Sequence, residues 1–233
     1  MFRDQLPRLY ELRDTISEPA PAGAYFQSLD ESLAETPQKL KQYRDIEADL
    51  QALDQAAWRD MKAAVKFKLE KRLPLRGWEQ IFDTLNEAKG YAYLVKTGCI
   101  DIRFVPRSEK RTPDLEASAS GRRVLCEVKT INVSDQEARR FAESAVSEVV
   151  SQLPEGFFNK VEGALNEAAA QMLAYCSDAG TRRIAYVVVN YDDRSHEYEE
   201  RYRKQLASFL AKRKPPDIEV VWDIKPPFYT SQV

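Results

Sequence analysis

The sequence predicts an α/β fold with a mixed central sheet, preceded by an all-helical N-terminal region over residues 1–75. Three observations carry this expectation. Residues 122–131, Arg-Arg-Val-Leu-Cys-Glu-Val-Lys-Thr-Ile, are rich in β-branched and apolar side chains and follow a Ser120-Gly121 turn, which marks a strand entered through a tight connection. Residues 184–189, Ile-Ala-Tyr-Val-Val-Val, form an unbroken apolar run of the kind that is buried on both faces in a parallel strand. Between these two segments the apolar spacing changes from two to three or four, as expected of helices that alternate with strands.

The first 75 residues are punctuated by Pro7, Pro19, Pro21, Pro37 and Pro74, and they read as helices over 6–16, 25–33 and 36–73. The last of these begins with Thr36 as N-cap and Pro37 at the first helical position; unbroken, it would be about 37 residues and roughly 55 Å long. Tyr43, Ile46, Leu50, Leu53, Ala57, Met61 and Ala64 follow a 3–4 spacing along it and form an apolar stripe that must pack on something. Its partner is either the chain's own earlier helices or a second copy in a homodimer. The heptad pattern is short and imperfect, which favours packing within the chain.

The second region, 76–233, opens with a helix over 77–97 whose stripe is Trp78, Ile81, Phe82, Leu85 and Ala92 and which Gly98 stops. Glu87 lies off that stripe but heads a second line with Tyr91 and Leu94, at i, i+4 and i+7, which turns it toward protein. Strands are expected over 100–105, 114–119 and 122–131. Helices are expected over 134–153 and 157–176, the second with Phe157, Val161, Leu165, Ala168, Met172 and Tyr175 on one stripe. The strand 184–189, a helix over 197–212 and a strand over 218–224 complete the domain. There are no internal repeats and no low-complexity segments.

The chemistry concentrates between Glu87 and Lys129. Side chains alternate along a strand, so Glu127 and Lys129 project from the same face. Pro113 cannot donate to a ladder and suits a strand start, so Asp114 opens the preceding strand. A tight hairpin at Ser120-Gly121 brings Asp114 beside Glu127. Two carboxylates so placed, with the backbone carbonyl of Val128, are hard oxygen donors suited to Mg²⁺ or Mn²⁺. Lys129 carries a compact charge on a flexible stem and can reach an attacking water or a phosphate.

The array Glu87, Pro113-Asp114 and Glu127-Val128-Lys129 resembles the signature of the PD-(D/E)xK nuclease superfamily. Lys129-Thr130 followed by Gln171-Met172-Leu173-Ala174-Tyr175 is similar to the ExK-T and QxxxY elements of its RecB-type and lambda-exonuclease-like branch. The resemblance covers roughly 77–192 and departs from the family pattern in the 42 positions from Lys129 to Gln171, where a helical insert is expected. It implies a restriction-endonuclease-like αβββαβ core and a Mg²⁺- or Mn²⁺-dependent deoxyribonuclease. Asp114, Glu127, the Val128 carbonyl and Glu87 would serve the metal, with Lys129 catalytic. Gln171 and Tyr175, four apart on a helix, are read equally as substrate contacts and as face packing.

Composition narrows the alternatives. With 43% hydrophobic and 31% charged residues among 233, the chain is globular rather than disordered. No apolar run reaches a membrane span and no signal-peptide core is present, so a cytoplasmic location without membrane association is expected. Cys99, Cys126 and Cys176 have no paired spacing and read as reduced thiols; with His196 the only histidine, zinc and Ser-His-Asp chemistry are poorly supported. The net charge of −2 gives no global attraction to nucleic acid, so binding must be local. Arg107, Lys110 and Arg111 precede Asp114 and would hold phosphates beside a metal, or else form a solvated loop. The expected partner is nucleic acid, most simply DNA. The rival functions are an RNA-cleaving nuclease and a non-catalytic nucleic-acid-binding or assembly protein that keeps the nuclease-like fold.

Overall fold

The computed structural model describes residues 1–17, 24–70, 79–106, 111–132, 151–190 and 198–225, with Asn190 and Lys225 described by backbone alone. Trp78, Arg107, Lys110, His196 and positions 134–150 of the helix expected over 134–153 lie outside them; positions 151–153 are described and are not helical. The chain forms two compact units, one within Met1–Lys96 and one beginning at Thr97. The helix that carries Glu87 therefore clusters with the N-terminal helices, whereas the sequence places a boundary at 75/76.

The first unit consists of α1 (Pro7–Arg13), α2 (Leu29–Glu35), α3 (Pro37–Gln51), α4 (Gln55–Lys66) and α5 (Glu79–Lys96). The single helix expected over 36–73 is two. Its break is encoded at Asp54, whose side chain accepts the Ala57 N–H and caps a fresh helix. The restart rotates the stripe: Tyr43, Ile46, Leu50, Leu53, Ala57 and Met61 are buried as expected, but Val65 replaces Ala64, which is exposed. Thr36 precedes Pro37 as expected yet makes no side-chain cap. The stripe is covered from within the chain, α3 packing on α1, α2 and α5.

Glu47 of α3, nearly fully buried, accepts the N–H groups of Arg8 and Leu9 at 3.1 and 3.0 Å. These are orphan donors of the first turn of α1, whose own N-cap residue, Leu6, supplies no side-chain acceptor. In return the Arg8 guanidinium donates to the carbonyls of Leu50 and Leu53, beyond the last intrahelical bonds of α3. One helix end thus satisfies the other. Glu47→Ala is expected to destabilise this unit by about 2–3 kcal/mol, the cost of buried donors left unpaired; urea denaturation followed by helical circular dichroism measures it, and a change below about 0.5 kcal/mol would contradict the assignment.

The second unit is a five-stranded mixed sheet in the order β1 (Ile100–Phe104), β2 (Leu115–Ala119), β3 (Arg122–Ile131), β4 (Arg182–Asn190), β5 (Glu219–Lys225). β1–β2 and β2–β3 are antiparallel; β3–β4 and β4–β5 are parallel. Ser120 and Gly121 both have positive φ, 50° and 73°, the geometry of a two-residue hairpin whose twist matches its strands. β4 is buried along its whole apolar run, as a central parallel strand requires. One face of the sheet, through Leu125, Ile131, Ala185, Val187 and Val189, packs with α6 (Glu155–Tyr175) and α7 (Glu199–Arg213). Among the described residues, the order from α5 to β4 is helix, three strands, helix, strand.

Candidate functional site

The β2–β3 backbone ladder ends at the pair Leu115–Cys126. One step further the chain substitutes side chains for backbone partners. The Asp114 N–H donates to Glu127 Oε2 at 3.2 Å, and the Val128 N–H donates to Asp114 Oδ2 at 2.8 Å. The Val105 N–H fixes the carbonyl of Asp114 at 2.9 Å from the other side. Asp114 and Glu127 are thereby held together at the end of the hairpin, as the sequence predicts.

Glu127 is only 3% exposed. Its Oε1 faces the Lys129 ammonium at 2.9 Å, and its Oε2 also accepts from the Gln171 amide at 2.9 Å. Gln171 Nε2 spends its second hydrogen on the Thr112 carbonyl at 2.5 Å, which ties the irregular segment before Asp114 to α6. One turn earlier on α6, Glu167 stands 3.6 Å from Lys129 and accepts from Arg111 at 2.9 Å. One turn later, the Tyr175 hydroxyl points to Glu116 at 3.4 Å. Residues 167, 171 and 175 form a single row along the helix.

Asp114, Glu127, Lys129 and Gln171 are brought together within the second unit. Glu87 belongs to the first unit, half-buried on α5. Val128 contributes its N–H to Asp114. Tyr175 meets Glu116 rather than the carboxylate pair, and Arg111 is exposed and engaged by Glu167. Among the described residues no group of three or more His, Cys, Asp or Glu side chains is arranged to hold a metal, so the second unit offers a two-carboxylate set. Glu167, Glu116 and the Thr112 carbonyl were not singled out from sequence; the four-residue spacing of Glu167 from Gln171 was the signal for the first.

Compared with known proteins, the chain matches no family model, no curated protein and no solved structure. The site therefore stands on its own chemistry. Burial, and secondly the neighbouring Asp114 charge, push the Glu127 carboxyl up to about 7 against the pull of Lys129. Two neighbouring carboxylates offer hard oxygen donors, the kind that suits a hard cation.

The raised value has a sign. Folded Glu127 keeps a proton that the unfolded chain releases near 4.5, so its contribution is fully present below that pH and is lost as pH rises toward about 7. In metal-free buffer, Glu127→Gln is expected to match wild type near pH 4.5 and to gain on it steadily up to pH 7. Urea midpoints across that range test this, and a pH-independent difference would overturn it.

Proposed function

We propose that the chain is a metal-dependent nuclease that hydrolyses phosphodiester bonds, with DNA as the preferred substrate, on a restriction-endonuclease-like αβββαβ core. The observation that carries this reading is the convergence of Asp114 and Glu127 with Lys129 at the end of the β2–β3 hairpin. The chain order from α5 to β4 and the meeting of Gln171 with Glu127 also agree with the resemblance.

Asp114 and Glu127 would hold Mg²⁺ or Mn²⁺, which when bound supplies Lewis-acid polarisation of the phosphate and a more acidic water. The protein's own groups do the rest. The Val128 N–H orients Asp114, while the Asp114 N–H and Gln171 orient Glu127. Lys129, held against Glu127, presents an ammonium that can hydrogen-bond water and offset charge developing on the phosphate. One observation favours the non-catalytic alternative: Glu127 already accepts from three protein donors, Asp114, Gln171 and Lys129, as a purely structural carboxylate would.

Mn²⁺ titration separates the two. Wild type is expected to bind Mn²⁺ and cut labelled DNA in Mg²⁺. Asp114→Asn should lose both, by more than the roughly 10–100-fold that removing a supporting residue costs, with Gln171→Ala inside that range. Wild-type cleavage by Asp114→Asn would place the active site elsewhere.

Lys129 can be tested apart from its charge. If its compact ammonium meets water or phosphate, Lys129→Arg will be nearly as inactive as Lys129→Ala in single-turnover cleavage, both retaining Mn²⁺ binding. An arginine variant close to wild type would reduce Lys129 to a general electrostatic contact.

A further inference from the structure

Two residues past Asp114, and so about 7 Å further along the chain, Glu116 of β2 gathers a second polar cluster. Arg103 is its direct cross-strand neighbour on β1 and places Nη2 at 3.1 Å from Oε2. Arg123, diagonal to it on β3, places Nε at 2.7 Å from Oε1. The Arg123 guanidinium lies 5.1 Å above the Tyr175 ring, whose hydroxyl donates toward the same carboxylate. The Glu116 side chain is 13% exposed, whereas those of Arg103 and Arg123 are 68% and 39% exposed.

The charges and donors do not balance. Each guanidinium carries five N–H donors, while one carboxylate offers about four acceptor positions. One arginine neutralises one carboxylate, so these three side chains retain a net positive charge, and their most exposed member is Arg103. Burial works against the Glu116 charge, but Arg123 and Arg103 outweigh it and hold the carboxyl below its ordinary range. Glu116 is therefore an anion already in place, drawing two arginines to one point beside the carboxylate pair.

We propose that Arg103 and Arg123 form a binding site for a backbone phosphate of a nucleic-acid strand, with Glu116 pre-positioning the two guanidiniums and Tyr175 fixing the plane of Arg123. The inference rests on reading Asp114 and Glu127 as a phosphodiester site. A strand whose reacting group lies at that pair places a flanking phosphate within reach of this cluster. Guanidinium forks suit phosphate oxygens, and such a contact sets the register of the strand without reading its sequence. Glu116 then competes with the phosphate, so removing its charge should strengthen binding while removing either arginine weakens it.

The test is fluorescence anisotropy of a labelled DNA duplex on the full chain, in EDTA so that cleavage does not intervene, over a series of salt concentrations. Arg103→Ala and Arg123→Ala are expected to weaken binding severalfold and to lower the salt slope by about one each. Glu116→Gln is expected to tighten binding severalfold. Unchanged affinity and slope in Arg103→Ala, or weakened binding in a folded Glu116→Gln, would overturn the proposal. If Glu116→Gln does not fold, Arg103→Glu decides, because charge reversal at an exposed side chain must weaken binding beyond Arg103→Ala, and equal affinities refute the site. Cleavage in Mg²⁺ is scored separately. Arginine-dependent binding without cleavage keeps this site and removes the nuclease reading, while cleavage with arginine-independent binding removes this site alone.

Discussion

The exchange between Asp114 and the Glu127-Val128 segment is the contact on which the rest of the site depends. It is fixed by the hairpin turn. Ser120 and Gly121 leave Ala119 opposite Arg122, and counting back along both strands puts Asp114 opposite Glu127. A slip of one residue would send Glu127 to the other face and separate it from Gln171 and Lys129. The side-chain bonds at the end of the ladder oppose such a slip, because Asp114 closes on the Val128 N–H only in this register. Turn chemistry, pairing and the placement of two carboxylates are thus one constraint.

Much of this was legible in the sequence because its signals are local. Alternation in 122–131, the unbroken run 184–189 and the Ser120-Gly121 turn each specify backbone geometry within a few residues, and the strands appear where those signals place them. The long helix over 36–73 failed for an instructive reason. Its heptad stripe is continuous across Asp54, but an N-cap aspartate competes with helix continuation by offering its side chain to a backbone N–H three residues on. Periodicity describes which side chains are apolar and is silent about where the backbone restarts.

What the sequence could not supply was the lateral placement of α6 over the sheet. Glu167 and Glu116 are ordinary surface acids until Lys129, Arg111, Arg103 and Arg123 are seen beside them. These are contacts between elements far apart in the chain, set by packing rather than by any motif. The net charge hides them as well. A global value of −2 coexists with a pair made of buried Glu127 and half-buried Asp114 and, one strand repeat away, a cluster in which arginine outnumbers acid.

α6 joins stability to chemistry. Val161, Leu165, Ala168 and Met172 bury one line of the helix against the sheet, while the adjacent line carries Glu167, Gln171 and Tyr175 to three successive polar groups. The two lines are about 100° apart on a helix of 3.6 residues per turn, so neither can move independently. Close packing of Ala168 and Met172 therefore determines how near Gln171 comes to Glu127, and a core change at either position acts on the carboxylate pair as well as on the fold. The buried polar contacts in turn hold the helix in rotation about its axis, which an apolar stripe alone leaves loosely specified.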